Sequence, residues 1–226
     1  REYYLNKKRD LNPSVYLGLL STLWDVDMTG DIDVTLDMLC RRAMNASDRF
    51  DMGRNGLIDW LHTSFIMEYE SLTEQQKNVS LLLLSNLAIS DTTSKRMGKD
   101  GVIKTIHTLI RDKFETPSVK EQRSALILLS RLAKNELNSV LMVEDKLIET
   151  ISTLIGDKFE TLCEEQKELS LILLSNIAVH KLTKERMGAD GLIKTIDPFF
   201  KLKGGQLSET QKYYMLLIVS NLLTVR

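Results

Sequence analysis

Leu84-Ser85-Asn86-Leu87-Ala88 decides the fold, because the chain writes it again and again. It returns as Leu129-Ser130-Arg131-Leu132-Ala133, as Leu174-Ser175-Asn176-Ile177-Ala178 and as Val219-Ser220-Asn221-Leu222-Leu223. The serine moves from 85 to 130 to 175 to 220, a step of 45 each time. A second block keeps that step: Gly101-Val102-Ile103-Lys104-Thr105-Ile106, Lys146-Leu147-Ile148-Glu149-Thr150-Ile151 and Gly191-Leu192-Ile193-Lys194-Thr195-Ile196. Met97, Met142 and Met187 precede those blocks in register, and Asp112-Lys113-Phe114-Glu115-Thr116 recurs as Asp157-Lys158-Phe159-Glu160-Thr161. More faintly, Met52, Gly56-Leu57-Ile58 and Cys40 extend the frame backward. Recurrence at one fixed step is the mark of a solenoid, here of about four and a half units.

Each unit reads as a short helix ending near the Gly, a second helix through Gly-(Val/Leu)-Ile, a loop, and a long apolar helix. The Gly tolerates positive φ and so permits a sharp turn between the first two helices. The third helix carries apolar residues almost all round, as in Ser80-Leu81-Leu82-Leu83-Leu84 and Ser170-Leu171-Ile172-Leu173-Leu174. Such a helix needs cover on most sides, which stacked neighbouring units supply. The reading is one repeat domain over 1–226, with regular units over 33–226. Residues 1–32 are a partial N-terminal unit in which Val15–Leu20 and Leu23-Trp24 form a second helix, followed by an acidic loop.

At these residues the chain resembles the armadillo family, whose unit has this three-helix plan and a closing helix of the Leu-Ser-Asn-Leu type. The resemblance covers about residues 33–226 and implies an all-α armadillo-type α-solenoid, right-handed, that binds proteins. It also singles out the place after the repeated serine: Arg41, Asn86, Arg131, Asn176 and Asn221. In armadillo proteins the closing helices line the concave groove, and this Asn commonly binds the backbone of an extended peptide. Polar groups spaced by one helix packing distance, about 10 Å, suit a chain whose amides need partners at intervals. The alternative is that each Asn ties two units together, and both readings stand at this point. Importin-type relatives place a Trp four residues before that Asn; here those places hold Leu82, Ile127, Ile172 and Leu217. Without the aromatic slots for cationic side chains, a nuclear-import receptor is not expected. The basic groove of catenin-type relatives finds only weak support in a near-neutral chain.

Composition narrows the classes further. Of 226 residues, 30 are basic and 31 acidic, for a net charge of -1, so nothing draws the chain globally to nucleic acid or an acidic membrane. Two cysteines, Cys40 and Cys163, are too few for a disulfide framework and fit a reducing compartment. No apolar run is long enough to span a bilayer. The chain opens on Arg1 and breaks off after a helical run, which reads as a fragment of a longer protein.

Candidate chemistry is sparse. Asp25-Val26-Asp27-Met28-Thr29-Gly30-Asp31-Ile32-Asp33 resembles the start of an EF-hand loop, but its twelfth place is Leu36, where a bidentate Glu is needed. The bland reading is an acidic loop with Asp33 capping the next helix. His62 and His107 stand 45 apart and so occupy one place in neighbouring units; packed helices about 8–10 Å apart hold equivalent side chains too far apart to share a metal easily. No His-x-x-x-His, Cys-x-x-Cys or Glu-x-x-His spacing occurs, His180 stands alone, and neither cysteine has an adjacent His. No phosphate-binding Gly loop appears; Gly204-Gly205 reads as a turn, and Lys7-Lys8-Arg9 and Arg41-Arg42 as solvated faces. No cofactor, metal or catalytic residue is expected, and no small-molecule substrate.

A second resemblance is narrower. Leu128-Leu129-Ser130-Arg131-Leu132-Ala133-Lys134-Asn135-Glu136-Leu137-Asn138, Cys163-Glu164-Glu165 and Leu173-Leu174-Ser175-Asn176-Ile177-Ala178, within residues 124–178, are similar to the C-terminal armadillo-like core of the ARID-containing subunit of SWI/SNF chromatin remodellers. That resemblance implies a nuclear assembly hub docking other remodeller subunits, without direct nucleic-acid contact by this stretch. The alternative expectation is a cytoplasmic adaptor or GTPase-regulator protein that holds an extended peptide in its groove.

Overall fold

The computed structural model describes residue 18 and residues 29–67, 69–113, 118–157, 160–189 and 207–224. In chain order the helices are α1 (Thr29–Arg42), α2 (Ala46–Arg54), α3 (Leu57–Met67), α4 (Glu74–Leu87), α5 (Asp91–Lys99), α6 (Val102–Lys113), α7 (Val119–Leu132), α8 (Glu136–Glu144), α9 (Leu147–Asp157), α10 (Glu164–Ala178), α11 (Lys181–Ala189) and α12 (Glu209–Leu223). No strand occurs among the described residues. Third helices begin at 29, 74, 119, 164 and 209, first helices at 46, 91, 136 and 181, second helices at 57, 102 and 147. Every one of those intervals is 45, so the sequence period is also the structural period.

Local chemistry fixes where the third helices begin. Thr73 Oγ1 accepts from the Gln76 amide at 3.1 Å, while Gln76 Oε1 accepts from the Thr73 amide at 3.0 Å. Ser208 and Gln211 repeat this reciprocal cap at 3.2 and 3.1 Å. Ser118 Oγ takes the Glu121 amide, and Gln166 Oε1 takes the Cys163 amide at 2.9 Å. Two orphan amides are satisfied at each full box, worth about 1 kcal/mol per capping side chain. The turn between first and second helices has a left-handed residue in each described case: Gly56 at φ 81°, Gly101 at φ 84° and Lys146 at φ 61°. Glycine adopts that conformation freely; Lys146 does so against the clash of its own Cβ.

Stacking then supplies the cover that the apolar helices require. The third helices pack side by side in the order α1, α4, α7, α10, α12. On these helices Leu83, Leu87, Leu128, Leu132, Leu173 and Ile177 are completely buried. Met52, Met97, Met142 and Met187, in register on the first helices, are also completely buried. First helices meet across units closely enough that size matters. A Cβ added at Gly98 would lie 2.0 Å from Asn138 Oδ1. Asn138 cannot easily yield, since its Nδ2 donates to Ser94 O, Ser94 Oγ and Leu132 O at 2.9–3.2 Å.

The N-terminal boundary differs from the sequence expectation. Thr29–Asp33 form the start of α1, so regular structure begins at 29 rather than 33, and Asp33 lies inside the helix instead of capping it. The stretch Asp25–Leu36 therefore cannot wrap an ion as an EF-hand loop does, since its last eight residues are helical. The proposed second helix at Val15–Trp24, the Lys7-Lys8-Arg9 cluster, the Gly191 block and Gly204-Gly205 lie outside the described residues, apart from residue 18.

Candidate partner-binding face

One face of the third-helix layer shows the same residue types unit after unit. Leu82, Ile127, Ile172 and Leu217 are half-buried, forming an aliphatic row spaced by one unit. Beside it runs the row of Arg41, Asn86, Arg131, Asn176 and Asn221. The structure gives these five places four different environments.

Asn86 and Asn176 turn back to the preceding unit. Asn86 Nδ2 donates to Cys40 O at 3.2 Å and approaches Cys40 Sγ at 3.5 Å, and Asn176 Nδ2 donates to Ser130 O at 2.9 Å. The acceptor is in each case the carbonyl of the residue one unit back and one place earlier. Asn86 is 8% exposed, and its Oδ1 accepts from Arg131 Nη1 at 2.8 Å. Arg41 is exposed and pairs with Asp37 at 2.8 Å one helical turn away. Asn221 is half-exposed, and its side chain makes no hydrogen bond among the described residues. So the row is continuous in space, but two of its amides serve inter-unit ties.

Other ties were hidden in the sequence. His62 Nε2 lies 2.8 Å from Thr105 Oγ1, and His107 Nε2 lies 2.8 Å from Thr150 Oγ1. The Thr105 and Thr150 hydroxyls also reach Gly101 O and Lys146 O, at 3.3 and 3.4 Å. The repeated histidine thus links second helices of adjacent units. Burial pulls both histidines below the usual imidazole range, with Asp100 and Asp59 opposing at His62 and Asp145 opposing at His107. The His-to-Thr spacing of 43 occurs twice in the sequence and could have flagged this link. His180 Nε2 reaches Ala133 O of the previous unit at 3.0 Å.

A buried carboxyl also escaped the sequence reading. Glu121, 2% exposed, accepts from the Tyr69 hydroxyl, and Lys77 Nζ sits 4.2 Å from the centre of the Tyr69 ring. Burial raises the Glu121 carboxyl, and burial with the Glu121 bond raises the Tyr69 hydroxyl. Their helix-cap setting makes this a packing feature. Cys40 is half-buried with its thiol raised chiefly by burial, and Cys163 is exposed at the start of α10; both are free. Among the described residues no group of three His, Cys, Asp or Glu side chains is placed to hold a metal. No described helix is long and apolar enough to cross a membrane.

No protein-family model matches the chain, and no curated protein matches its sequence. Among solved structures it is similar to a designed armadillo repeat protein, with 15% identity and a TM-score of 0.68, covering 84% of this chain and 75% of that one. It is also similar to a designed armadillo repeat protein in complex with the peptide (KR)4, with 14% identity and a TM-score of 0.73, covering 90% of this chain and 80% of that one. A third, described as an engineered protein, shares 17% identity with a TM-score of 0.72; the match covers 93% of this chain and 47% of that one. Identities of this size speak for the fold alone. The fold is an armadillo-type α-solenoid.

Proposed function

We propose that this chain is a non-catalytic protein-interaction scaffold that holds an extended segment of a partner along its third helices. The observation that carries the reading is the half-exposed aliphatic row Leu82, Ile127, Ile172 and Leu217, bordered by Arg41, Asn86, Arg131, Asn176 and Asn221. An extended chain needs side-chain cover on one hand and amide or carbonyl partners on the other, at regular intervals. Arg41, Arg131, Asn176 and Asn221 keep exposed surface for that role, while Asn86 holds the row together. A protein of the same fold has been solved with a peptide bound, which supports protein partners in general.

More narrowly, the likeness of residues 124–178 to a remodeller subunit supports a place as an assembly hub in a SWI/SNF-type complex in the nucleus. A photo-reactive residue placed at Ile127 or Ile172, and a control at exposed Lys104 on α6, test both levels. Partners cross-linked in nuclear extract from the first two sites and not from the control support the scaffold reading. Equal cross-linking from all three, or none, overturns it. Identification of the captured proteins as remodeller subunits upholds the narrower reading, and a cytoplasmic or GTPase partner removes it.

A further inference from the structure

Beside Arg131 the face opens into a cavity of about 150 Å³, bounded by Ile89, Asp91 and Ser94 of one unit and by Arg131, Lys134 and Asn135 of the next. Two cations and several polar groups therefore border a space large enough for a carboxylate and its stem.

Arg131 stands on the wall of that cavity. It is half-buried, uses Nη1 on the amide oxygen of Asn86, and has no carboxylate within ion-pair distance among the described residues. A guanidinium carries five N–H donors in a fixed fork, so most of its capacity is unused. The charged side chain that bears on it besides Cys40 is Arg49, another cation; burial foremost and then Arg49 pull it below the ordinary arginine range. Lys134, also on the cavity, is exposed and makes no ion pair among the described residues. Asp91, the acid of the cavity, is already engaged by Lys95 at 3.0 Å and Asn135 at 2.8 Å. Those bonds, Lys95 first, hold its carboxyl below the usual carboxylate range. The half-buried Arg131 charge thus lacks a counter-charge among the described residues. Holding a partly desolvated cation unpaired is costly, and an incoming carboxylate relieves that cost with a bidentate bond.

We propose that this cavity takes the carboxylate of an acidic residue in the extended partner, with Arg131 as its ion-pair partner and Lys134 beside it. The proposal rests on the reading of the third-helix face as a site for an extended chain, and it names the charge that chain must carry. It also separates this protein from one whose partner is a purely basic peptide, because a Lys or Arg side chain would meet like charge at Arg131.

The test pans the protein against a displayed library of random linear peptides, then measures the winning peptide and its Glu→Gln or Asp→Asn counterpart by titration calorimetry. The expected result is a fixed acidic position whose neutralisation weakens Kd by about tenfold, the size of one charge-assisted bond. Arg131→Gln should erase that difference, and Arg131→Lys, which keeps the charge but not the fork, should keep only part of it. Lys134→Gln, which removes an exposed charge without touching the Asn86 bond, should reduce the difference severalfold in a protein of unchanged melting temperature. Acidic and amide peptides binding alike overturns the carboxylate assignment and leaves the scaffold reading standing. A library that yields no peptide on this face overturns both.

Discussion

Single side chains here work mostly as ties between units, and that assigns them measurable energies. Asn176 gives its amide to Ser130 O of the preceding unit, whereas the equivalent Asn221 makes no side-chain bond among the described residues. Asn176→Ala should therefore cost about 1 kcal/mol in urea unfolding, a typical net hydrogen bond, and Asn221→Ala should stay within about 0.5 kcal/mol. Equal losses would mean that the row is uniform and the ties are not what distinguishes its members. The histidine links predict a pH effect. His62 and His107 are held below the ordinary value of 6.5, so the unfolded chain binds protons that the folded chain refuses. Their contribution is complete above 6.5 and is lost as pH falls through that value toward the lowered one. Melting temperature should drop between pH 7.5 and 5, and His107→Gln should flatten that drop while lowering the plateau at neutral pH. Position 107 was legible in the sequence as a repeated histidine; its Thr150 partner showed only as a recurring spacing of 43, which the packing of second helices turns into a contact.

At the scale of the helices, the repeat tolerates a residue that its own turn disfavours. Lys146 occupies the left-handed place that Gly56 and Gly101 fill in the preceding units. Lys146→Gly should raise stability by about 0.5–1 kcal/mol, since relief of the Cβ clash exceeds the extra chain entropy of glycine. An unchanged or lower midpoint in chemical denaturation would show that the lysine stem contributes packing that offsets the strain. Helix starts could be read in advance from Thr73-x-x-Gln76, Ser118-x-x-Glu121 and Ser208-x-x-Gln211, a capping signature that periodicity alone passes over. Asp33 shows the opposite hazard. An acid before an apolar run looks like a cap, yet α1 begins at Thr29 and carries Asp33 within it.

For the molecule as a whole, burial depends on having a next unit. Leu171 on α10 is 2% exposed because α12 packs against that helix, while Leu216, one unit later on α12, is 61% exposed. The two places are the same in sequence terms and opposite in energy. Leu171→Lys should cost about 3 kcal/mol or more, by placing a charge in the layer between third helices. Leu216→Lys should shift the midpoint by less than about 0.5 kcal/mol. Comparable damage from both would show that α12 is covered in solution by something that burial in the isolated chain does not reveal. In a solenoid each unit contacts only its neighbours, so stability is a sum of unit and interface terms.

The sequence by itself determined the period, the three-helix unit and the all-helical class, because each is carried by local chemistry repeated every 45 residues. Apolar spacing, a turn glycine and a buried methionine mean the same thing in each unit. Tertiary structure decided what the repeated places do. Asn86 became a buried tie, Arg41 an exposed ion pair and Arg131 a half-buried cation with no carboxylate partner among the described residues, although all three hold one position of the repeat. The physical reason is that solvation and partners are set by the neighbouring unit, whose side chains differ at the contact even where the period is kept.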